Sequence, residues 1–266
     1  MGQCASVEVG SLSQEKCTVT GSRERHPHLS EAPIREALLD IRVRPRPGFE
    51  TDQLRDLVAA LRSEFPKSSE QRRMSIEFGT SPPREERRDL GIDAIVLKSD
   101  DELTVCQLRE SGFTFNRVAP YESWGKMFPL AMKSWTAFRD LAKPLEISRL
   151  AVRYINSIPC PEAMRTVEEV LTAGPPVPTG VASGLSAFLT RVTIHDERRN
   201  VSAHVIQALE VGADRRSSII LDIDAFSQLA LPLDSGRVEE TFENLREYKN
   251  EIFFGSLTEA TIERFR

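Results

Sequence analysis

The chain has 266 residues, of which 40% are hydrophobic and 28% are charged, and its formal net charge is -5 at pH 7. This composition is sufficient for a buried core, while no apolar run reaches the roughly 20 residues of a membrane-spanning helix. The acidic balance gives no support to a general binder of nucleic-acid phosphates, which normally carries a basic excess.

Residues 1–28 differ from the rest of the chain. They are rich in Ser, Gly, Thr and charged residues and show no helical or strand period. The segment also lacks the charged start and continuous apolar centre of a secretory signal. We therefore predict a disordered N-terminal tail on a cytoplasmic protein.

Residues 29–144 predict a strand, a helix, four strands and a second helix. Residues 33–43 alternate apolar and polar side chains, as a half-buried strand does, and residues 52–65 have apolar residues at helical spacing. Four strand-like runs follow, separated by polar turns and by a charged loop at 82–89, and they suit an antiparallel meander. The predicted strands are 72–79, 91–99, 102–110 and 112–120. An aromatic stripe then predicts a helix that ends before Pro144.

Residues 145–266 repeat this plan with one strand fewer. Residues 147–158 alternate and end at prolines, like the first strand, and residues 166–173 predict a short helix. Three further strands and a long amphipathic helix complete the half. They cover 185–195, 200–209, 217–226 and 238–253.

The fold class that follows is α+β, with two tandem helix-grip-like halves, each a β-α unit followed by an antiparallel sheet and a helix. The halves can share one continuous curved sheet if their first strands lie side by side, which leaves no free edge at the seam. In that arrangement Glu36 and Asp40 could face Arg149 and Arg153 and form ion pairs across the seam.

Four segments of the chain resemble a family of hypothetical prokaryotic proteins known only as "sporadically distributed". They occur in the same order, and the resemblance covers nearly everything after residue 28: HLSEAPIREALLDIRV, GFTFNRVAPYESWGKM, ISRLAVRYINSIP and LREYKNEIFFGSLTEATIERF. The resemblance implies a cytoplasmic prokaryotic protein with no assigned activity. The patchy distribution suits horizontally transferred genes, including defence and toxin-neutralising systems, and it assigns no role to any residue.

Two groups of residues are candidates for binding. Asp222 and Asp224 lie two apart on a predicted strand and hence on one face, where two carboxylates can hold Mg²⁺ beside a phosphate. The alternative is a solvated strand end, because no glycine-rich phosphate loop accompanies them. The second group could line a groove for a carboxylate, a phosphate or a peptide, or its arginines could form the seam ion pairs. Its members are Arg149, Arg153, Tyr154 and Asn156.

Three classes of function remain. The acidity of the chain and its lack of a catalytic motif favour a non-catalytic interaction protein whose partner is another protein and which needs no cofactor. The first alternative is a small-molecule binder with a pocket between sheet and helix. The second is a metal-dependent nucleotide-processing enzyme that uses Asp222 and Asp224. The four cysteines have no metal-like spacing, and we expect reduced thiols.

Overall fold

The computed structural model describes residues 26–80, 83–162, 164, 166–177, 180, 185–212, 215–228, 230–233 and 236–266, and for 75–80 and 83–88 it describes the backbone alone. The predicted tail at 1–28 lies outside the described residues except for its last three. Of these, His26 stacks on Phe254 with the ring centroids 4.6 Å apart. The last residues of the predicted tail therefore pack on the folded part of the chain.

In the described part of the chain, nine strands form a single antiparallel sheet, which confirms the α+β class. The strands are β1 (Ile34–Arg44), β2 (Lys67–Thr80), β3 (Pro83–Lys98), β4 (Thr104–Arg109), β5 (Gly112–Val118), β6 (Glu146–Pro159), β7 (Leu189–Asp196), β8 (Val201–Val211) and β9 (Ser217–Ser227). Their spatial order is β2-β3-β4-β5-β1-β6-β9-β8-β7. Residues 29–144 thus supply five neighbouring strands and residues 145–266 supply four. Duplication of the two halves stays a prediction, because strand order alone does not measure their similarity.

The first strands of the two halves are neighbours, as the shared-sheet hypothesis expects. β1 and β6 run antiparallel, with Asp40 opposite Ala151 and Leu38 opposite Arg153. β5 lies on the other side of β1, and β9 lies on the other side of β6. The sheet is therefore continuous across the seam.

The described residues also form four α-helices: α1 (Asp56–Ala60), α2 (Trp124–Ala142), α3 (Arg237–Ser256) and α4 (Glu259–Glu263). The two long helices confirm the predictions for the ends of both halves, and α2 ends at Lys143, which adopts the left-handed conformation (φ 44°). Within the described ranges, no helix is long and apolar enough to cross a bilayer.

Two predicted helices are shorter in the structure. The segment 52–65 is α-helical only in α1, which follows a 3-10 turn at Thr51–Arg55. The segment 166–173 holds only the 3-10 turn Val167–Glu169. There the backbone of Val170 and Thr172 bonds to the chain at the end of α3 instead of continuing a helix. These tertiary backbone bonds compete with the local helical ones.

The predicted charged loop at 82–89 is wrong, because β3 begins at Pro83 and pairs with β2 from there. β4 pairs only with Ile95–Lys98 of β3, so the earlier part of β3 forms a two-stranded ribbon with β2. An antiparallel ribbon is held by backbone bonds and accepts charged residues where it is not covered. Charge alone therefore did not distinguish a strand from a loop.

The two faces of the sheet differ. Apolar residues of one face, such as Leu39 and Val152, are fully buried in a core that includes residues of both long helices. Phe128 of α2 meets Phe242 of α3 edge to face, with the ring centroids 5.7 Å apart, so both helices lie on this face. The other face, here called the charged face, carries Asp40, Arg149, Arg153, Asp222 and Asp224, since side chains alternate along a strand.

Candidate functional site

The charged face holds an ion-pair cluster centred on Arg149. Its guanidinium donates to Asp40 Oδ2 at 3.0 Å and to both carboxylate oxygens of Asp224, at 3.0 and 2.8 Å. It also lies over the Phe226 ring, 4.9 Å from the centroid. One predicted seam pair, Asp40 with Arg149, is therefore confirmed, and Arg149 joins three adjacent strands.

Glu36 does not form the ion pair with Arg149 or Arg153 that the seam hypothesis predicts, although its charge acts on Arg153. Arg153 donates two hydrogen bonds to Asp222, at 2.8 and 2.6 Å, and the hydrogen bond with Asp222 is the main cause that raises the pKa of Arg153. Glu36 lies opposite Ile155, diagonal to Arg153, and its carboxylate accepts instead from the Asn116 amide. The charges of Asp222, Asp224 and Glu36 all act on Arg153, and Asp222 forms the pair.

The two aspartates proposed for Mg²⁺ are each bound by an arginine. Asp222 and Asp224 both accept bidentate guanidinium bonds, so a divalent cation would have to displace Arg153 or Arg149. Among the described residues, no three His, Cys, Asp or Glu side chains converge as a metal site would require. The geometry thus gives the metal hypothesis no support.

The four residues proposed for one groove lie on opposite faces of the sheet. Arg149 and Arg153 are on the charged face, whereas Tyr154 and Asn156 are 2% and 1% exposed and point to the helix-covered face. The alternation of β6 imposes this division, because odd and even positions of a strand cannot share a face. No single groove contains all four.

Tyr154 and Asn156 instead line a cavity of about 300 Å³ between the sheet and α3, here called the helix–sheet cavity. Its wall also contains the segment from His26 to Ser30 and the start of α2. A pocket between sheet and helix is thus present at the place that the small-molecule alternative requires. The side chains that matter most for its chemistry are Tyr121, Trp124, Tyr154, Asn156, Arg246 and Lys249.

Two tyrosines meet at this cavity. The hydroxyls of Tyr121 and Tyr154 are 3.0 Å apart, and their rings pack edge to face. Burial raises the pKa of both phenols, because the phenolate would be poorly solvated there. Only one hydroxyl can donate to the other, so the proton of the accepting hydroxyl remains available for a different acceptor.

Lys249 is the unusual residue of the cavity wall. It is 8% exposed, and its Nζ lies 3.9 Å from the centroid of the Tyr154 ring. Its one described hydrogen bond goes to Asn250 Oδ1, and it forms no ion pair with a carboxylate of the described residues. Burial, with a smaller contribution from the charge of Arg246, lowers the pKa of Lys249 to about 7. The ammonium is thus a buried cation without a carboxylate counter-ion in the described part of the chain.

Arg246 lies one helical turn before Lys249 and also faces the cavity. Its guanidinium is 5.7 Å from the Trp124 ring centroid, and it contacts Glu243 at 3.2 Å. Glu243 in turn accepts from Trp124 Nε1 at 2.6 Å. The cavity wall on α3 therefore presents two cations, of which Arg246 is accompanied by a carboxylate.

The sequence reasoning did not identify Lys249, although a signal exists. Phe242, Leu245 and Lys249 follow one another at spacings of three and four, so the lysine occupies a core-facing position of an amphipathic helix. A lysine on an apolar stripe indicates either a long side chain that reaches solvent or a buried cation. Tyr121 gave no comparable signal, because the loop that carries it has no period.

Comparison with known proteins gives no relative from which a role could be taken: no family model and no curated protein matches the chain. The resemblance to the "sporadically distributed" family therefore stays a prediction. The geometry of the charged face and of the helix–sheet cavity has to carry the functional argument.

Proposed function

We propose that this protein binds a small molecule in the helix–sheet cavity. The observation that carries the proposal is the convergence of polar side chains on a cavity in the buried face of the sheet. Ligand sites typically combine an apolar enclosure with a few placed polar groups, and a volume of about 300 Å³ is at the lower end of their range. The ligand is therefore small, on the order of a single ring with a short substituent.

A packing defect would have a different lining. Buried polar groups cost free energy unless they are paired, so an accidental void is expected to be apolar. Here Asn156, Tyr154 and Lys249 are all below 10% exposure and all line the cavity. The lining also includes apolar and aromatic residues, among them Ile34, Trp124 and Phe253. This combination supports a binding role over a purely structural one.

The test is a fragment screen by ligand-observed NMR with neutral, cationic and anionic fragments. The variant Ile34→Trp adds an indole at a residue that lines the cavity. The matched control Ile155→Trp adds the same indole to β6, at a half-buried position on the charged face. We expect fragments that bind the wild type and the Ile155 variant and lose binding in the Ile34 variant. If no fragment responds to the cavity substitution, the small-molecule function is refuted.

Interaction with another protein is the second candidate, and β7 is the observation that favours it. This strand ends the sheet and exposes Leu189, Val192 and Ile194 by 73%, 52% and 36%. An edge strand with apolar side chains can pair with a strand of a second chain. Cytoplasmic location and a part in a prokaryotic defence or toxin-neutralising system belong to this hypothesis.

A pull-down from the native cell with wild type and Val192→Lys tests the interaction hypothesis. A stoichiometric protein partner that is lost in the variant would support it, because a charge on an edge strand blocks edge-to-edge pairing. The variant Arg42→Glu, also on an exposed side chain, serves as the control for an unspecific charge change. A partner retained in Val192→Lys would exclude the β7 edge.

A further inference from the structure

We propose that the ligand of the helix–sheet cavity is a small organic carboxylate, held by Lys249 together with the free tyrosine hydroxyl and Arg246. This inference rests on the proposed small-molecule function and adds the chemical class of the ligand. The wall of the cavity contains the ammonium of Lys249, which has no carboxylate partner among the described residues, and a carboxylate is a group that only accepts.

Lys249 has no carboxylate counter-ion among the described residues. Its ammonium has three donors, of which one bonds to Asn250 Oδ1, while the ring of Tyr154 covers one side. A buried charge is normally paired, because burial without a partner is costly. A ligand carboxylate in the cavity would supply the pair and restore the charged form of the lysine.

The cavity wall also contains other hydrogen-bond donors. Arg246, one helical turn away, lines the same cavity and lowers the pKa of Lys249 through its charge. An anion between two like charges offsets their repulsion. The Tyr121 and Tyr154 hydroxyls together leave one proton without an acceptor in the pair. Three kinds of donor therefore surround one space, and an amine or a neutral alcohol would leave most of them unused.

The negative charges of the cavity wall limit how much negative charge the ligand can carry. Glu122 pairs with Lys126, and Glu251 pairs with Arg199, so both are occupied outside the cavity. Glu247 also lines the cavity and adds one negative charge to its wall. A monoanion matches the single uncompensated ammonium, whereas a phosphate dianion would exceed it and be repelled by Glu247. A carboxylate is accordingly preferred to a phosphate.

The remaining titratable groups that face this space come from two other segments. Tyr154 belongs to β6 and Tyr121 to the loop before α2, and both stay protonated near neutral pH because burial raises the pKa of each. His26 and His28 precede β1 and also line the cavity. Any pH effect on binding therefore has to be assigned to Lys249 by substitution.

The experiment uses benzoate as the probe, with benzamide as its neutral isostere and phenyl phosphate as the dianionic one. Binding is followed by intrinsic tryptophan fluorescence and by calorimetry on the full chain at pH 7. We expect benzoate to bind at least about tenfold more tightly than either analogue, since the neutral isostere leaves the Lys249 ammonium without a counter-ion. Lys249→Met should lose at least about tenfold in benzoate affinity and leave benzamide affinity within about twofold.

Two further variants and one further measurement separate a charge effect from damage to the fold. Lys133→Met removes an exposed lysine that pairs with Glu64 and should leave benzoate affinity unchanged. Glu247→Gln should tighten benzoate binding, because it removes a negative charge from the cavity wall. At pH 8, calorimetry in two buffers of different ionisation enthalpy should show net proton uptake on benzoate binding, which Lys249→Met abolishes.

The outcomes distinguish this inference from the function on which it rests. If fragments bind in the cavity but benzoate has no advantage over benzamide, or binds without proton uptake, the carboxylate assignment is overturned and the small-molecule function stands. Tighter binding of phenyl phosphate also overturns the assignment. If Lys249→Met retains its affinity for benzoate while Ile34→Trp abolishes benzoate binding, the carboxylate assignment is overturned as well. Loss of all fragment binding refutes the proposed function itself.

Discussion

Replacing Lys249 by methionine should stabilise the free protein at neutral and mildly acidic pH. The substitution keeps an unbranched side chain, one heavy atom shorter, and removes the ammonium of a residue that is 8% exposed and has no carboxylate partner among the described residues. A buried charge replaced by an apolar group of similar volume is often neutral or stabilising. Most substitutions of buried residues have the opposite sign.

The magnitude follows from the pKa of the lysine. Burial lowers it from 10.5 to about 7, and each pKa unit corresponds to about 1.36 kcal/mol. The charged form of the folded protein therefore carries a penalty of up to about 5 kcal/mol. The contact with the Tyr154 ring, at 3.9 Å, offsets part of the penalty. We expect Lys249→Met to raise the free energy of unfolding by about 2 to 5 kcal/mol at pH 6.

The pH dependence identifies the cause. Between pH 7 and about 10.5 the unfolded lysine binds a proton that the folded one has released, so the stability of the wild type rises with pH in this window. The slope approaches about 1.4 kcal/mol per pH unit. Below pH 7 both states are protonated and the full penalty applies. The advantage of Lys249→Met should therefore be greatest below pH 7 and decline towards pH 10.

The assay is urea denaturation followed by far-UV circular dichroism at half-unit steps from pH 6 to 9.5, without ligand. Taking the difference between variant and wild type cancels the titration of every other group. Lys133→Met, at an exposed lysine, is the control and should show no pH-dependent difference. If Lys249→Met destabilises the protein at pH 6, or differs from wild type by a constant at all pH values, the account of a desolvated ammonium is refuted.

Three further predictions concern the rest of the fold. Arg149→Met should lower the free energy of unfolding by about 2 to 4 kcal/mol, because it leaves two carboxylates, 20% and 23% exposed, without their shared guanidinium. The control Arg42→Met should lower it by less than about 0.5 kcal/mol, since Arg42 is 63% exposed. Equal effects of the two variants in urea denaturation would contradict a stabilising role of the Arg149 cluster. Gly112→Ala should destabilise the protein by about 2 kcal/mol or more, because φ is 155° and a Cβ there would lie 2.4 Å from a carbonyl oxygen of β1. Gly125→Ala, in the first turn of α2, should stabilise the protein by about 0.5 to 1 kcal/mol, because no atom lies closer than 4.0 Å to the added Cβ. Cys106 should resist iodoacetamide in the native protein and react after unfolding, since it is fully buried and burial raises the pKa of its thiol. Detection by mass spectrometry of alkylated Cys106 in the native protein would contradict its position in the core.

Much of the architecture could be inferred from local periods. The alternation of 33–43 and 147–158 predicts β1 and β6, and the aromatic stripe after Pro120 predicts α2, because burial on one side imposes a period of two on a strand and of 3.6 on a helix. The adjacency of β1 and β6 also followed, since two similar first strands leave no free edge when they pair. The pairing of these strands also predicted the ion pair between Asp40 and Arg149 that the structure contains.

The other contacts depend on which strands and helices meet, and local sequence does not encode that. Arg153 lies near three carboxylates. It pairs with Asp222, while Arg149 binds Asp224, the residue directly opposite Arg153 on β9, and Asn116 donates to Glu36. The ribbon of β2 and β3 forms because backbone bonds to a distant segment accept charged side chains, which a composition-based criterion assigns to a loop.

The candidate site shows the same division between local and tertiary information. Lys249 has the spacing of a core residue in the sequence, yet its burial, its contact with the Tyr154 ring and its lack of a carboxylate partner among the described residues arise only where α3 packs on β6. Tyr121 and Tyr154 are 33 residues apart and share a hydrogen bond for the same reason. The hydrophobic period of a helix or strand indicates which of its sides is buried. The cavity depends on which residues of other elements pack against that side, and only the tertiary structure determines this.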